Sequence, residues 1–450
     1  MTLRRARPEH SATRTRAQFL AALAAVSIGL PRTSAVQLMA GAAREDISPP
    51  PGFRHWATEK ATFDGVVSPI YARALVLTDG TRKLVLLQWD LVNARADGVA
   101  KVRGLISAAI GVAPGDILVN ASHDHSAPLA PGPDDGRVSI NEFASVPAPD
   151  AAVNRRWVDR LYGASVAAAK AADASLRPVS LEVSRALLPE WQYNRRPRGP
   201  DGRVVTTFEP KDPYTQPDGL RFGPMDPTAT VLAFRDAGRH ALVTLFSYPC
   251  HAVSVYPYSN ATSADWPGFA EDQIEAHMGG RAIFLQGCAG DLVPARRGIA
   301  AAREMGSLLG ARVEAAAAAG LRVDVPRLEE ASTQAMLPWN AEQRARTGTE
   351  FGPAEVQVFV LGSVAIVALP GEPMIEIAMA IQRQSPYPHT LVLGYSNGSG
   401  MIYVGMPGEL ARGGYETTRD SSLGADACGA VLVDTALGLL RGVSGAAAAL

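Results

Sequence analysis

The sequence is short of cysteine and has no surplus of charge of either sign. Three cysteines in 450 residues are too few for a disulfide framework in a chain of this length. Cys250 with Cys288 is the pair we would expect if one bridge forms, because both lie beside candidate site residues, and free buried thiols are the alternative. Lysine and arginine number 43 against 44 acidic residues, so no global field favours nucleic acid or an anionic membrane as a partner.

Long apolar runs are also missing. After residue 35 no stretch approaches about 20 uninterrupted apolar residues, so we expect no transmembrane segment in the mature chain. Within 1–35, arginines precede an apolar run from Phe19 to Leu30, and small residues follow around Ser34. This order is typical of a secretory signal peptide, so we expect an exported (periplasmic or secreted) protein with one domain over 36–450. A disordered arm with a chance apolar patch is the alternative.

What the chain does contain is an alternation of apolar strand-like segments with helical segments such as Arg95 to Ala109 and Ile299 to Ala318. This alternation predicts an α/β fold with a layered, mixed β-sheet core and flanking helices. Residues 40–51 are expected to be an irregular entry into the fold, and 128–149 a surface loop. Residues 194–227, rich in arginine, proline and glycine, are expected to form a lid or rim over a pocket.

Five of the predicted strands end in polar turns that contain glycine or proline, at His123, His251, Asp291, Glu372 and Asn397. The carboxyl ends of strands are where open α/β sheets hold their functional sites. We therefore expect these turns to converge on one crevice.

The first of these turns carries His123 and His125 with one residue between them. Side chains two positions apart on an extended backbone point to the same side, and neighbouring imidazoles often begin a zinc site. Two loop histidines hydrogen-bonded to backbone are the alternative. Zinc hydrolases use about three protein ligands and leave one position for water. One histidine of this pair, His251 and Glu372 would supply that number.

Together these turns resemble the N-terminal catalytic domain of the neutral/alkaline, non-lysosomal ceramidase family. The stretch Asn120 to Pro128 looks like that family's His-Thr-His-Ser-Gly-Pro turn. The resemblance covers about Ala40 to Leu440. The other matching segments occur in the same order: Asn194-Arg195, Cys250-His251, Gln286 to Asp291, Pro370-Gly371-Glu372, Asn397-Gly398 followed by Tyr403, and Gly414-Tyr415-Glu416.

The resemblance implies a role for each matched side chain. Four would bind a catalytic zinc: His123, His251, Glu372 and Tyr403. Three would face the scissile carbonyl and the developing oxyanion: His125, Arg195 and Tyr415. A second histidine or a carboxylate, with Asp291 the candidate, would carry a proton to the leaving amine. Orienting a ligand histidine or capping a turn is the alternative for both Asp291 and Asp90.

Two departures from the family limit what the resemblance implies. Where ceramidases read Gly-Asp-Val-Ser-Pro, this chain has Val293 in place of the serine, and a valine cannot be a nucleophile. We also expect the chain, which is given to Leu450, to lack the family's immunoglobulin-like C-terminal domain. We therefore expect a zinc-dependent hydrolase that cleaves a linear N-acyl, ceramide-like amide of a small-molecule or lipid-like substrate with metal-activated water. An ester or lactone hydrolase and a non-catalytic metal-pocket binding protein are the alternatives.

Overall fold

The structure is a computed structural model that describes residues 37–56, 61–132, 151–210, 212, 214–216 and 219–448. The expected signal peptide and most of the expected surface loop at 128–149 lie outside the described residues. The chain from Gln37 to Leu450 forms one unit by its internal contacts.

Strands and helices alternate along the described chain. The strands are β1 (Met39–Asp46), β2 (Tyr71–Thr78), β3 (Lys83–Trp89), β4 (Ile117–Ala121), β5 (Arg177–Pro178), β6 (Ser180–Leu187), β7 (Gln192–Asn194), β8 (Thr228–Arg235), β9 (Ala241–Tyr248), β10 (Arg281–Gln286), β11 (Leu292–Pro294), β12 (Leu321–Val323), β13 (Leu328–Pro338), β14 (Phe351–Leu361), β15 (Val364–Ala368), β16 (Glu372–Pro373), β17 (His389–Leu393) and β18 (Tyr403–Val404). The helices are α1 (Ala96–Ile110), α2 (Ala151–Ala174), α3 (Asp265–Met278), α4 (Ile299–Ala318), α5 (Ala341–Thr347), α6 (Ile375–Gln384), α7 (Glu409–Arg412) and α8 (Cys428–Ala448).

Three larger sheets form the core, and each contains one parallel pair of strands. Their orders are β4-β3-β2-β1-β5, β10-β9-β8-β6-β12 and β13-β14-β15-β17, and β11-β7 and β16-β18 form two-stranded sheets. The parallel pairs are β3 with β4, β9 with β10, and β15 with β17. All five polar turns follow a strand of one of these pairs. Because parallel strands present their carboxyl ends at the same edge, this pairing brings the turns together.

The three sheets share one apolar cluster, and helices cover their opposite faces. In β2, Leu75 and Leu77 belong to the shared cluster, whereas Ala74 and Val76 belong to the cluster under α1 and α2. The second sheet packs against α3 and α4, and the third packs against α6 and α8. This alternation of buried faces is what a strand period of two requires. The expected α/β fold with a layered mixed sheet and flanking helices is confirmed.

The C-terminal helix α8 is, among the described residues, the one helix that is long and apolar enough to cross a membrane by length and composition. Leu432, Ala436 and Leu440 on one side of α8 are buried in the core, and the helix contacts β13 and β14. This packing is that of a core helix in a folded domain.

The prediction of an irregular segment at 40–51 is wrong for its first half, which forms β1. The sequence there is rich in alanine and glycine, which have low β propensity. Tertiary packing overrides that propensity, because β1 pairs with β2 along its whole length. At Gly41 a side chain would overlap the carbonyl oxygen of Ala172, so the small residues let α2 approach the strand closely. By contrast, α4 begins and ends where the sequence predicts.

All three cysteines are free and buried, so the bridge between Cys250 and Cys288 does not form. Burial raises the pKa of both thiols and raises that of Cys428 to about 12. Thiolate is the reactive form, so we expect an aromatic disulfide reagent to leave the native protein unmodified. In denaturant without reductant it should titrate three thiols. A count of one would show that a bridge exists.

Candidate active site

The side chain of Asn120, at the end of β4, ties the carboxyl ends of three strands together. Its Nδ2 donates to the carbonyl oxygen of Gly394 at 2.9 Å and to Oγ of Ser396 at 3.0 Å, beyond the end of β17. Its Oδ1 accepts from the backbone N–H of Gln286, the last residue of β10, at 2.9 Å. These bonds are fully buried, so the turns after β4, β10 and β17 are held in fixed register. The predicted convergence of the turns is confirmed for these strands.

His123 and His251 are oriented alike by the backbone around them. Nδ1 of His123 lies 2.6 Å from the carbonyl oxygen of Val92, and Nδ1 of His251 lies 2.7 Å from that of Ala289 and 3.0 Å from that of Leu292. A carbonyl can only accept, so both Nδ1 atoms carry the proton. Each Nε2 therefore presents a lone pair to the centre of the site. Nε2 of His251 is buried and has no hydrogen-bond partner among the described residues.

Glu372 completes this group from the turn after β15. Its Oε2 lies 3.2 Å from Nε2 of His123 and 3.5 Å from Nε2 of His251. Ligand atoms at about 2.0–2.1 Å from a tetrahedral zinc are separated by roughly 3.3 Å, so these distances fit a shared metal ion. His123, His125 and His251 also form a group whose ligand atoms all lie within 4.8 Å of one another. The residues present therefore fit a divalent transition metal.

His125 lies in the same group, but in the described part of the chain its ring is not oriented by a hydrogen bond to a backbone carbonyl. Its Nε2 is 3.1 Å from Nε2 of His123, and its Nδ1 has no hydrogen-bond partner among the residues the structure describes. Metal-ligating histidines almost always donate their second ring N–H to an orienting acceptor. His123 and His251 show this arrangement, whereas His125 lacks it and is partly open to solvent. This contrast favours His125 on the substrate side.

Burial and neighbouring charges lower the pKa of two site histidines, His125 and His251. Desolvation, followed by the neighbouring His123 and His251, holds the pKa of His125 well below its usual range. Desolvation, followed by Arg195 and His123, lowers the pKa of His251 to about 3. Burial acts to raise the pKa of Glu372, but contact with His123 and His251 holds it well below the usual range. Neutral imidazoles beside an ionised carboxylate are the protonation states that metal binding requires.

Arg195 and Tyr403 lie against this group on the side of the β16–β18 pair. Glu372 and Tyr403 are register partners in that pair. Nη2 of Arg195 donates to the Tyr403 hydroxyl at 3.1 Å and to the Gly290 carbonyl at 2.8 Å. Burial, followed by Glu372, raises the pKa of Tyr403 well above its usual value. The guanidinium of Arg195 also lies 5.5 Å from the rings of Tyr403 and Tyr415.

Tyr415 stands at the solvent side of the site. Its side chain is 43% exposed, and its ring lies edge-on to Tyr403 at 5.8 Å and to Phe208 at 5.3 Å. Phe208 belongs to the segment 194–227, so the described part of that segment borders the site. Near the beginning of this segment, the side chains of Arg195 and Arg196 are buried and not exposed to solvent.

Asp291 supports the site and does not face its histidines. Its Oδ2 accepts from Nδ2 of Asn194 at 2.7 Å, and its Oδ1 accepts from the backbone N–H of Ile375 at 2.9 Å, at the start of α6. Its backbone carbonyl accepts from the N–H of Arg195 at 2.9 Å. These contacts hold the turn and the start of α6 in place, and the expected proton-carrying role of Asp291 stays a prediction. A carboxylate after a strand looks the same in sequence in either role.

Two other aspartates likewise act through backbone and arginine contacts. Asp90 accepts from the N–H of Tyr71 and from Arg73, not from a histidine. Asp265 is the first residue of α3, and its Oδ1 accepts from the N–H of Trp266, while the N-cap residue of this helix is Ala264. Its Oδ2 also accepts from the N–H groups of Ser254 and Val255, which fixes the loop after His251.

The sequence did not point to the aromatic groups around the histidines. The ring of Tyr395 stacks on His123 with centroids 4.1 Å apart, and its hydroxyl lies 3.5 Å from Oε2 of Glu372. The ring of Trp56 packs edge-on against His125 at 5.1 Å, and Tyr256 lies 6.2 Å from His125. Tyr395 follows a predicted strand, which is a weak signal. Trp56 and Tyr256 follow from no local pattern, because they lie far from His125 in sequence.

Val293, where the resemblance would place a serine, is fully buried in β11. It pairs with Tyr193 of β7 and packs in an apolar cluster with Val253 and Ala295. The position therefore offers no hydroxyl and is filled by packing contacts.

Gly290 allows the Glu372 turn to approach closely, and its replacement tests the metal group without removing a ligand. An alanine methyl at this position would overlap the carbonyl oxygen of Glu372. We expect Gly290→Ala to displace the backbone of Glu372, and with it the carboxylate, and so to weaken binding of a divalent metal by about 10–100-fold, measured with zinc by competition with a chelator. Gly104→Ala in α1 is the control, because open space surrounds it. Equal zinc affinity of both variants would contradict the close-approach argument.

Comparison with known proteins identifies the fold. No protein-family model matches the chain, and no curated protein matches it. Among solved structures, a ceramidase complexed with C2 is 18% identical with a TM-score of 0.70, over 91% of this chain and 76% of that chain. The neutral ceramidase from Pseudomonas aeruginosa is 19% identical with a TM-score of 0.68, over 90% of this chain and 75% of that chain. The chain therefore has the fold of the neutral ceramidases.

Proposed function

We propose that this chain is a zinc-dependent hydrolase that cleaves an N-acyl, ceramide-like amide and acts after export. The observation that carries the proposal is the convergence of two carbonyl-oriented imidazoles, His123 and His251, on the carboxylate of Glu372. Two histidines and one glutamate are a donor set that zinc hydrolases use, with one position left for water. Tyr403, from the strand that pairs with Glu372, is a further candidate ligand, and a zinc ion held by all four side chains would be five-coordinate with the water bound.

A zinc ion bound there would polarise the substrate carbonyl and bring the pKa of a bound water to about 7. Val293 leaves this chain without a side-chain nucleophile at that position, so the attacking group in our proposal is water itself. His125 presents its Nε2 to the same centre, 3.1 Å from Nε2 of His123, and its lowered pKa leaves the ring neutral. It is placed to take a proton from the water and give it to the leaving amine.

The chain's fixed donors would then stabilise the charge that develops on the substrate oxygen. Arg195 is buried, bears a permanent positive charge and has no hydrogen bond on Nη1 among the described residues. Tyr415 stands beside it at the solvent side. Preorganised donors in a site shielded from water are among the largest contributions to hydrolytic catalysis. The rings of Tyr395 and Trp56 pack against His123 and His125.

The substrate class rests on the fold and on the ceramidase-like turns, and turnover measurements test it. We expect the zinc-loaded protein to hydrolyse long-chain N-acyl amides, measured by release of free amine, with activity lost on chelation and restored by zinc. A matched series of acyl esters and lactones tests the other hydrolytic chemistry. A non-catalytic binding protein is the second candidate, since Val293 removes a family hydroxyl. Stoichiometric zinc with no turnover in any series would favour it and overturn the enzyme proposal.

A further inference from the structure

Glu416 is a fully buried carboxylate shared by two adjacent arginines. Its Oε1 accepts from Nε of Arg195 at 2.6 Å, and its Oε2 accepts from Nη1 of Arg196 at 2.6 Å. It lies in the short 3₁₀ turn Tyr415–Thr417, about 220 residues along the chain from both partners. Each carboxylate oxygen therefore carries a charge-assisted bond to a different guanidinium, which is the stronger class of hydrogen bond.

These contacts determine where the guanidinium of Arg195 points. Glu416 holds Nε, while the Gly290 carbonyl and the Tyr403 hydroxyl hold Nη2. An arginine side chain has many rotamers, but its guanidinium is a planar fork, so fixing two of its nitrogens fixes the third. Nη1 of Arg195 has no hydrogen-bond partner among the described residues. Nη2 of the same guanidinium bonds to Tyr403, the register partner of Glu372, so Nη1 is held near the metal group.

We propose that Glu416 is the positioning residue for Arg195, which it holds in the orientation needed to bind the substrate oxygen. The orientation of the Arg195 guanidinium follows from geometry alone. The expected effect on kcat rests in addition on the proposed hydrolytic function. In the described part of the chain no hydrogen bond or ion pair joins Glu416 to a histidine, and its bonds go to Arg195 and Arg196, so it acts through Arg195.

Glu409 provides a matched control. It is also a buried glutamate, and its Oε2 accepts from Nη2 of Arg196 at 2.9 Å. Its Oε1 accepts from Arg198 at 3.0 Å and pairs with Arg412 at 2.8 Å. Glu409 thus belongs to the same ionic network but makes no contact with Arg195.

The test compares Glu416→Gln with Glu409→Gln. A glutamine has the size of glutamate, but its amide nitrogen is a donor. It cannot accept from the guanidinium that it faces, so the hydrogen bond to one of the two arginines is lost. We expect Glu416→Gln to lower kcat by up to about 100-fold while KM and zinc content stay near wild type, because a misplaced catalytic donor costs that order of rate. Glu409→Gln should retain kcat. Equal losses of kcat in the two variants would overturn the proposal.

A double-mutant cycle separates positioning from general structural support. In an Arg195→Lys background, Glu416→Gln should cause no further loss of kcat, because the group through which it acts is already changed. Losses that multiply in the double variant would show that Glu416 acts independently of Arg195 and would overturn the proposal.

A measurement that needs no turnover keeps this inference separate from the proposed function. In the protein labelled with ¹⁵N-arginine, the Nε–H signal of Arg195 is identified by its absence in Arg195→Lys. We expect slow solvent exchange of this proton in wild type and in Glu409→Gln, and fast exchange in Glu416→Gln. Slow exchange in Glu416→Gln would overturn the positioning role, even if the wild-type protein hydrolysed no amide in the substrate series.

Discussion

Replacement of His251 by alanine is expected to abolish stoichiometric zinc binding and, with it, amide hydrolysis. Its Nε2 is buried, unpartnered among the described residues and directed at Glu372, while its Nδ1 is fixed by two carbonyls. Loss of an outer orienting partner already costs about 10–100-fold in metal affinity, so loss of a ligand should cost more. The measurement is zinc content after gel filtration, with affinity determined by chelator competition.

The matched control for this prediction is His240→Ala, which removes a histidine whose side chain is 81% exposed and whose ion-pair partner among the described residues is Asp236. Its zinc content and turnover should equal those of the wild type. Full zinc occupancy in a folded His251→Ala protein would show that the metal group is wrongly assigned.

Replacement of Arg195 by methionine is expected to lower kcat by about 100–1,000-fold while zinc content stays intact. In the described part of the chain the guanidinium bonds to Tyr403 and to no imidazole, so its removal leaves the proposed His123, His251 and Glu372 ligands in place and frees the Tyr403 hydroxyl of one donor. The loss should fall mainly on kcat, because charge on the substrate oxygen develops in the transition state. Steady-state kinetics on an N-acyl amide and zinc analysis of the same preparation measure both parts.

Arg281→Met serves as the control for Arg195→Met. Arg281 is the first residue of β10, is half-exposed and pairs with Glu275 of α3. If Arg195→Met lost zinc along with activity, Arg195 would instead be needed to hold the metal ligands in place. A variant with wild-type kcat would remove Arg195 from the proposed mechanism.

The location of the site could be predicted from the sequence because one physical rule governs it. Each larger sheet contains a parallel strand pair, and parallel strands carry their turns to a common edge. The polar residues that interrupt apolar strands at His123, His251 and Glu372 were therefore sufficient to predict a shared crevice. Distinguishing His123 from His125 depended on the resemblance, and the carbonyl contacts of His123 now support it.

Other parts of the site could not be predicted, because they depend on contacts between distant segments. Tyr395, whose ring stacks on His123, has a positive φ of 51° although it is not a glycine, and no sequence pattern indicates this conformation. Glu416 is defined by two arginines from another turn. Asp291 follows a strand like the ligand residues, yet its carboxylate is directed at Asn194 and α6.

The strand β1 illustrates a different limit. Alanine and glycine predict no strand by propensity, but small side chains are what permit α2 to lie on the sheet at Gly41. Close packing between the helix and the sheet therefore requires small residues here, although these residues have low β propensity. The same reasoning explains Gly290, where close approach of the Glu372 turn excludes a side chain.

The central claim is that the turns at His123, His251 and Glu372 hold one zinc ion, and anomalous diffraction at the zinc edge tests it most directly. Crystals of the purified protein should give one strong anomalous peak at about 2.0–2.2 Å from Nε2 of His123, Nε2 of His251 and a carboxylate oxygen of Glu372. A zinc-supplemented crystal with no peak between these three side chains, or with its peak elsewhere in the chain, would contradict the account.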